Sequence, residues 1–499
     1  MEAIKRLKAL LKEIYIINSS VSLMHWDQST YIPSKGAETR AEALGYLSTL
    51  AFKKLTSPEM GELLETLSSQ NLLNSLSNID TALLRVVKRD YEKAKAIPPE
   101  LYEKFVIASS RGQNAWEKAK REDDFGYFRP YLEEIIKLLR EMVEFYGYEK
   151  DPYDALLDNF EPGMTTERLQ HIIAELKPEI INFVRTLSKL PAIDTSFLNG
   201  RFARHLQSRL SKMALKVIGY DFDAGRLDET VHPFTITIGP GDVRVTTGYK
   251  PSDFTASLYG TIHEGGHALY EQGISPELKW TPLADGASMG IHESQSRLME
   301  NIIGKSYEFL SFFYPKIQKA FPKVLENVSL DMFYKAVNKV EPSLIRIEAD
   351  EVTYNLHIML RFELEKALIN KELEVKDLPE AWNEKMKEFL GIVPPNDTMG
   401  VLQDVHWGSG MIGYFPSYML GNLYAAQFFN TAVSEIPDLH QQIAAGEISN
   451  LLQWLREKIH KHGRVYEPDE LCKRVTGEEL SPRYFIDYIK SKFGKIYGL

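Results

Sequence analysis

The chain has 499 residues, 44% of them hydrophobic, enough for a large buried core, and length alone is a soft pointer to several domains. A net charge of −10 argues against nucleic acid or an anionic membrane as partner. A single cysteine, Cys472, rules out an internal disulfide and a multi-thiolate metal site, and it fits a reducing, cytoplasmic setting.

The first 18 residues mix Lys5, Arg6, Lys8, Lys12 and Glu13 among apolar positions. That is an amphipathic helix, not the uninterrupted apolar centre of a signal peptide, and no later run is apolar for long enough to span a bilayer. From there to about residue 190 the apolar residues recur at threes and fours, most clearly over 79–96, 131–145 and 166–187. Pro58, Pro98-Pro99, Pro152 and Pro162-Gly163 mark the breaks. The helices up to about residue 90 are expected to form a lid, and the trio His25-Trp26-Asp27 reads as packing. With no linker or repeat, the whole of 1–499 is expected to be one continuous domain.

The texture changes at His232-Pro233-Phe234. Residues 235–238 and 242–247 alternate polar and apolar around Gly239-Pro240-Gly241, which predicts a β-hairpin. Directly after it comes His263-Glu264-Gly265-Gly266-His267. Pro251 ends the preceding segment, Ser252 is the expected N-cap, Asp253 suits the positive end of the dipole and Gly273 is the expected stop. On that helix the two histidines share a face about 6 Å apart along the axis, spaced to bind one metal ion. Glu264 points beside the ion, where it can take a proton from the attacking water. Gly265 and Gly266 each cost about 1 kcal/mol in a helix and imply a close approach by a substrate or a packed neighbour.

Alone, this pattern also fits an ordinary buried helix. His292-Glu293-Ser294-Gln295 downstream adds a carboxylate on a second helix, and His263, His267 and Glu293 together make an open catalytic site. Further on lie Ile345-Arg346 with Ala349-Asp350, a helical stretch carrying His357, and Gly400 to Trp407 ahead of an aromatic run. His460 and His462, near Gly463, read as surface residues at a helix end. Half of the 12 histidines (His232, His263, His267, His292, His357 and His406) fall within about a third of the chain, which points to one polar cleft around a metal.

In these segments, taken in order, the chain resembles the carboxypeptidase Taq family of metallocarboxypeptidases. The likeness rests on His232-Pro233-Phe234, 242–246, 263–267, 292–295, Ile345-Arg346 with Ala349-Asp350, and 400–407. It implies a mainly α-helical zinc-peptidase fold with a deep central cleft and a small β-hairpin beside the metal helix. It also implies a homodimer, one divalent ion (zinc, with cobalt as a substitute) and removal of single residues from free peptide C-termini with broad specificity.

On this reading Glu264 is the general base. The oxyanion needs a donor besides the metal, for which His406, Tyr414 and Tyr418 are the candidates. Arg346 is the first choice for the substrate carboxylate and Arg244 the second, because a guanidinium pairs both oxygens at once; His232 is a further substrate contact. Arg297 stands where related zinc peptidases carry an acid, so Asp350 or Glu348 is expected to orient a ligand histidine instead. The rival readings are an oligopeptidase with the same catalytic residues and a non-catalytic metal-binding scaffold.

Overall fold

The computed structural model describes residues 2–499. The prolines expected as breaks open helices: Pro58 begins Pro58–Leu67, Pro99 begins Pro99–Glu122 and Pro152 begins Pro152–Leu157. Proline suits that first position because its missing N–H would have no partner there. The stretch predicted over 166–187 is the helix Thr166–Leu187, and that over 79–96 is Asn78–Ala96. The one predicted over 131–145 starts earlier, as Phe125–Tyr146, because the Asp124 side chain caps it by accepting from the backbone N–H of Tyr127.

Helix α1 (Glu2–Thr30) buries Ile4, Leu7, Leu10, Leu11 and Ile14 at helical spacing. They pack with apolar residues from the helices up to Val87 into a cluster of their own, joined by Leu278, Leu283 and Val465. A larger cluster runs from Ile97 to Ile496. Among the described residues no helix is long and apolar enough to cross a membrane.

The predicted hairpin is present, but it belongs to a three-stranded sheet. Strands β1 (Leu227–Glu229), β2 (Thr235–Gly239) and β3 (Asp242–Thr247) lie in the order β1-β3-β2. β2 and β3 are antiparallel with an irregularity between Thr237 and Gly239, and β1 adds parallel to β3. Three residues are too few to show periodicity, which is why β1 is invisible in the sequence. β2 is left as an edge strand.

Before the strands runs α2 (Arg204–Ile218), and after them the central helix α3 (Phe254–Gly273). The cap of α3 is Asp253, not Ser252: Oδ1 of Asp253 accepts from the backbone N–H of Thr255 at 2.9 Å and of Ala256 at 3.2 Å. An aspartate one position nearer the helix reaches those orphan donors and also carries the charge that the dipole favours. Asp253→Ala is expected to cost about 1 kcal/mol in chemical denaturation, with the metal-binding residues unaffected.

The paired glycines of α3 serve packing. A Cβ on Gly265 would stand 2.7 Å from Leu215 and Ile218 of α2. A Cβ on Gly266 would meet the Gln295 carbonyl oxygen at 2.5 Å. Gly266 therefore lets the backbone of helix α4 (Met289–Arg297) lie directly against α3. Two further buried helices close the site, α5 (Tyr354–Ile369) and α6 (Pro416–Glu435). On α6, Gly421 leaves room for the Glu293 side chain, whose Cγ a Cβ would approach to 2.5 Å.

His460 is not a surface residue. It is fully buried, with Nε2 2.8 Å from Oε1 of Gln295 and its ring against Tyr270. The short 3-10 turn His460–His462 folds back against the end of α3, which places a ring expected in solvent under a helix.

Candidate metal centre

His263 and His267 lie one turn apart on α3, and α4 brings Glu293 to face both. Oε2 of Glu293 is 3.5 Å from Nε2 of His263 and 3.3 Å from Nε2 of His267. The three ligand atoms all lie within 4.8 Å of one another. A tetrahedral ion with ligands at about 2.0–2.1 Å holds them about 3.4 Å apart, so the spacing fits such an ion.

The remaining ring nitrogens settle which tautomers face inward. Nδ1 of His263 lies 2.9 Å from Oε2 of Glu300, so that nitrogen carries the proton and donates it. Nε2 of His292 is 2.8 Å from Oε1 of Glu271, and its Nδ1 is 2.6 Å from Nδ1 of His267. Glu271 can only accept, so His292 donates through Nε2 and accepts through Nδ1, and His267 donates through Nδ1. In their neutral forms both histidines present an Nε2 lone pair toward Glu293, and two such imidazoles with a carboxylate are the donor set of an open zinc-type site, which fits a divalent ion.

Charge is arranged to match. Burial pushes the Glu293 carboxyl up, but Arg297 and the two histidines outweigh it and hold the group far below the ordinary range. Arg297 Nε donates to Oε1 of Glu293 at 2.6 Å, and Ser296 Oγ donates to Oε2 at 2.9 Å. Burial drives His267 down to about 4, which keeps it neutral and free to ligate.

The acid behind His263 is thus Glu300, and neither Asp350 nor Glu348. Asp350 caps its own turn, accepting from the backbone N–H of Val352 and Thr353, and Glu348 is exposed. Glu300 lies in the π-helix Leu298–Gly304 that continues α4. It is seven residues past Glu293, two helical turns on and on the same face, and that spacing was the available signal. Lys305 donates to its other oxygen at 2.9 Å. Glu271, seven residues past Glu264, braces His292 in the same way.

Glu264 stands beside this group. Its Oε2 accepts from Thr235 Oγ1 of β2 at 2.8 Å. Burial raises its pKa, opposed by His263 and Thr235. Beyond β2 opens a cavity of about 430 Å³ whose lining includes Tyr15 of α1, Thr235, Thr237, Glu271 and His292.

His406, Tyr414 and Tyr418 gather on the other side. The rings of His406 and Tyr414 stack at 5.6 Å, and Nε2 of His406 is 3.4 Å from the Tyr418 hydroxyl. Burial, with the charge of Glu293, pushes Tyr414 up to about 12, and burial holds His406 down at about 4. Burial, with Tyr414 beside it, holds the Tyr418 phenol well above its ordinary value. All three side chains are neutral near pH 7.

The family model of carboxypeptidase Taq (M32) metallopeptidases matches residues 6–493. The chain belongs to that family. It is 47% identical to carboxypeptidase 1 of Bacillus subtilis, over 98% of both chains. It is 44% identical to thermostable carboxypeptidase 1 of Thermus thermophilus, over 99% of both. The crystal structure of the M32 carboxypeptidase from Deinococcus radiodurans superposes with a TM-score of 0.97, at 38% identity and with full coverage of both chains. Membership makes the protein a metallocarboxypeptidase.

A carboxypeptidase must hold a free carboxylate, and the three residues considered for that task sit differently. Arg346 is buried. Its Nε and Nη2 donate to Oδ1 of Asp404 at 3.1 and 2.7 Å, and its Nη1 donates to the Tyr354 hydroxyl at 2.8 Å. Arg361 of α5 donates to the other oxygen of Asp404, from Nε at 2.8 Å and Nη2 at 2.6 Å. Two guanidiniums share one carboxylate, which leaves one positive charge in excess. Burial together with Arg361 and Arg346 holds neighbouring His357 well below its ordinary pKa, so that ring adds no charge. Arg297 lies over the Tyr354 ring at 4.4 Å, so a single tyrosine separates Arg346 from the partner of Glu293. Arg244, by contrast, is paired through Nε and Nη2 with Asp242 and lies over Trp26. His232 is exposed in the loop before β2.

Proposed function

We propose that this metallocarboxypeptidase removes single residues from free peptide C-termini, with broad specificity, by attack of water on the scissile carbonyl. His263, His267 and Glu293 would hold one divalent ion, with zinc favoured by the donor set and cobalt as a substitute. The ion, when bound, supplies Lewis acidity to the carbonyl and to the attacking water. Glu264 takes the water's proton and delivers it to the leaving amine. The oxyanion is assigned to the neutral group of His406, Tyr414 and Tyr418, which pack on one another, and a tyrosine hydroxyl is suited to that task. Arg244 and His232 keep a subordinate place in substrate binding, because Asp242 balances Arg244 one to one, whereas Arg346 and Arg361 share a single carboxylate, and because His232 lies in solvent.

The observation that carries an exopeptidase reading is the Arg346–Asp404–Arg361 group. A buried site with one unbalanced positive charge and a guanidinium beside the catalytic residues suits a chain-terminal carboxylate. An internal peptide bond offers it nothing to pair with. A peptide and its C-terminally amidated twin, digested and followed by mass spectrometry, test this directly. The free peptide is expected to lose single residues from its C-terminus while the twin persists, and equal cleavage of both would sink the reading. Arg346→Ala is expected to raise KM for the free peptide and so to narrow the gap between it and the twin. Thorough chelation is expected to abolish cleavage of the free peptide.

The residues up to about 90 serve as a lid in this reading, since they build their own apolar cluster and α1 lines the cavity beyond β2. A homodimer working in the cytoplasm completes the proposal, supported by the family likeness and by the single buried cysteine.

A further inference from the structure

The Thr235 hydroxyl lies 2.8 Å from Oε2 of Glu264 and 2.8 Å from the carbonyl oxygen of the same residue. Two positions along the strand, on the same face, Thr237 donates to Glu271 at 2.9 Å. β2 therefore grips α3 by two carboxylates two helical turns apart. The second of these braces His292 and through it His267. The first is Glu264 itself.

Glu264 adjoins a metal-ligating histidine in the chain, and a glutamate side chain turns about three bonds. A site holding two histidines and one carboxylate keeps a fourth position open, and a second carboxylate is a competent ligand for it. Yet the group of converging ligand atoms comprises His263, His267 and Glu293, without Glu264. Among the described residues, the Thr235 hydroxyl is the only hydrogen-bond partner of the Glu264 carboxylate. We propose that Thr235 is a positioning residue whose hydroxyl tethers Glu264 to β2, clear of the ion's open position, so that the carboxylate serves as base and not as fourth ligand. The inference rests on the reading of Glu264 as the base. It also gives a purpose to the residue that directly follows His232-Pro233-Phe234, a motif the catalytic assignments leave unused.

Thr235→Val keeps the branched shape that suits a strand and removes only the hydroxyl. Thr235→Ser keeps the hydroxyl. Each variant is assayed for turnover on a free peptide and, separately, for zinc affinity by competition with a chromogenic chelator. In Thr235→Val, turnover is expected to fall about tenfold to a hundredfold, the range for losing a hydrogen bond to a charged group. Zinc is expected to be held more tightly, by about tenfold or more, as a fourth protein ligand joins. Thr235→Ser is expected to restore both values. In a Glu264→Ala background, Thr235→Val is expected to leave zinc affinity unchanged, because no carboxylate remains to swing inward. Wild-type turnover in Thr235→Val overturns the proposal. So does lost turnover with unchanged or weaker zinc binding, which is the signature of a merely structural threonine. Failure of serine to rescue, or equal tightening in the Glu264→Ala background, overturns it as well. Wild-type turnover in Glu264→Ala alone would instead remove the base assignment, so the two failures are told apart.

Discussion

Glu264→Gln is expected to lower kcat by at least about a hundredfold, the usual contribution of a positioned proton acceptor. Glutamine has the same shape and keeps a carbonyl oxygen for the Thr235 hydroxyl, so the side chain should stay where it is. It cannot take a proton. The ligand group lacks Glu264, so bound metal is expected to remain at one ion per chain. KM should move little, because the lost interaction belongs to the transition state. Metal analysis alongside steady-state kinetics checks both halves. A variant that keeps its metal and near wild-type kcat would remove Glu264 from the mechanism.

The second large effect is on stability. Asp404 accepts from Arg346 on one oxygen and from Arg361 on the other, and removing its charge leaves two guanidiniums buried side by side. Breaking a buried ion group in this way costs about 3–5 kcal/mol, so Asp404→Asn is expected to lose that much in urea denaturation. Arg346→Ala is expected to lose less, because Asp404 then remains paired with Arg361. A loss below about 1 kcal/mol in Asp404→Asn would show that the two charges are solvated or separated. Acid should act on the same group. Burial pushes the Asp404 carboxyl up, but Arg361 and Arg346 pull it far below its ordinary value. The native state therefore binds fewer protons than the unfolded one. Its stabilising contribution is complete above an unfolded pKa of about 3.9 and falls away as the pH drops below that.

Much of the site was legible because it is written within single helices. His263, Glu264 and His267 occupy one turn, and their four-residue spacing fixes their relative positions before any packing is known. Glu293 stands out as a carboxylate on a second helix a short way behind, directly after another histidine. The glycine pair announced a close neighbour and left its nature open; α2 and α4 turned out to fill both places. Glu300 is hard to read from the sequence because related zinc peptidases carry the acid four residues after the ligand glutamate, whereas here the brace sits at the seventh. Thr235 was passed over because a threonine in an alternating strand looks like strand and nothing more.

His460 shows the same limit from the other side. Its local context, a helix end before a glycine, is that of a surface cap, and only the return of the chain against α3 buries it. The sequence marks Arg346 as a candidate, but its partners Asp404 and Arg361 come from other segments, and so does the unbalanced charge they create.

The sequence by itself determined the metal-binding face of α3, the general-base candidate beside it, the hairpin before it and the mainly helical character of the chain. Each of these follows from periodicity and capping, which act over a few residues. Only the tertiary structure decided which acid backs which histidine, where β2 grips Glu264 and which two arginines share the one carboxylate of Asp404. Those depend on how closely helices distant in the chain approach one another. That approach is closest at Gly266 and Gly421, and no local pattern records which helix or side chain fills each place.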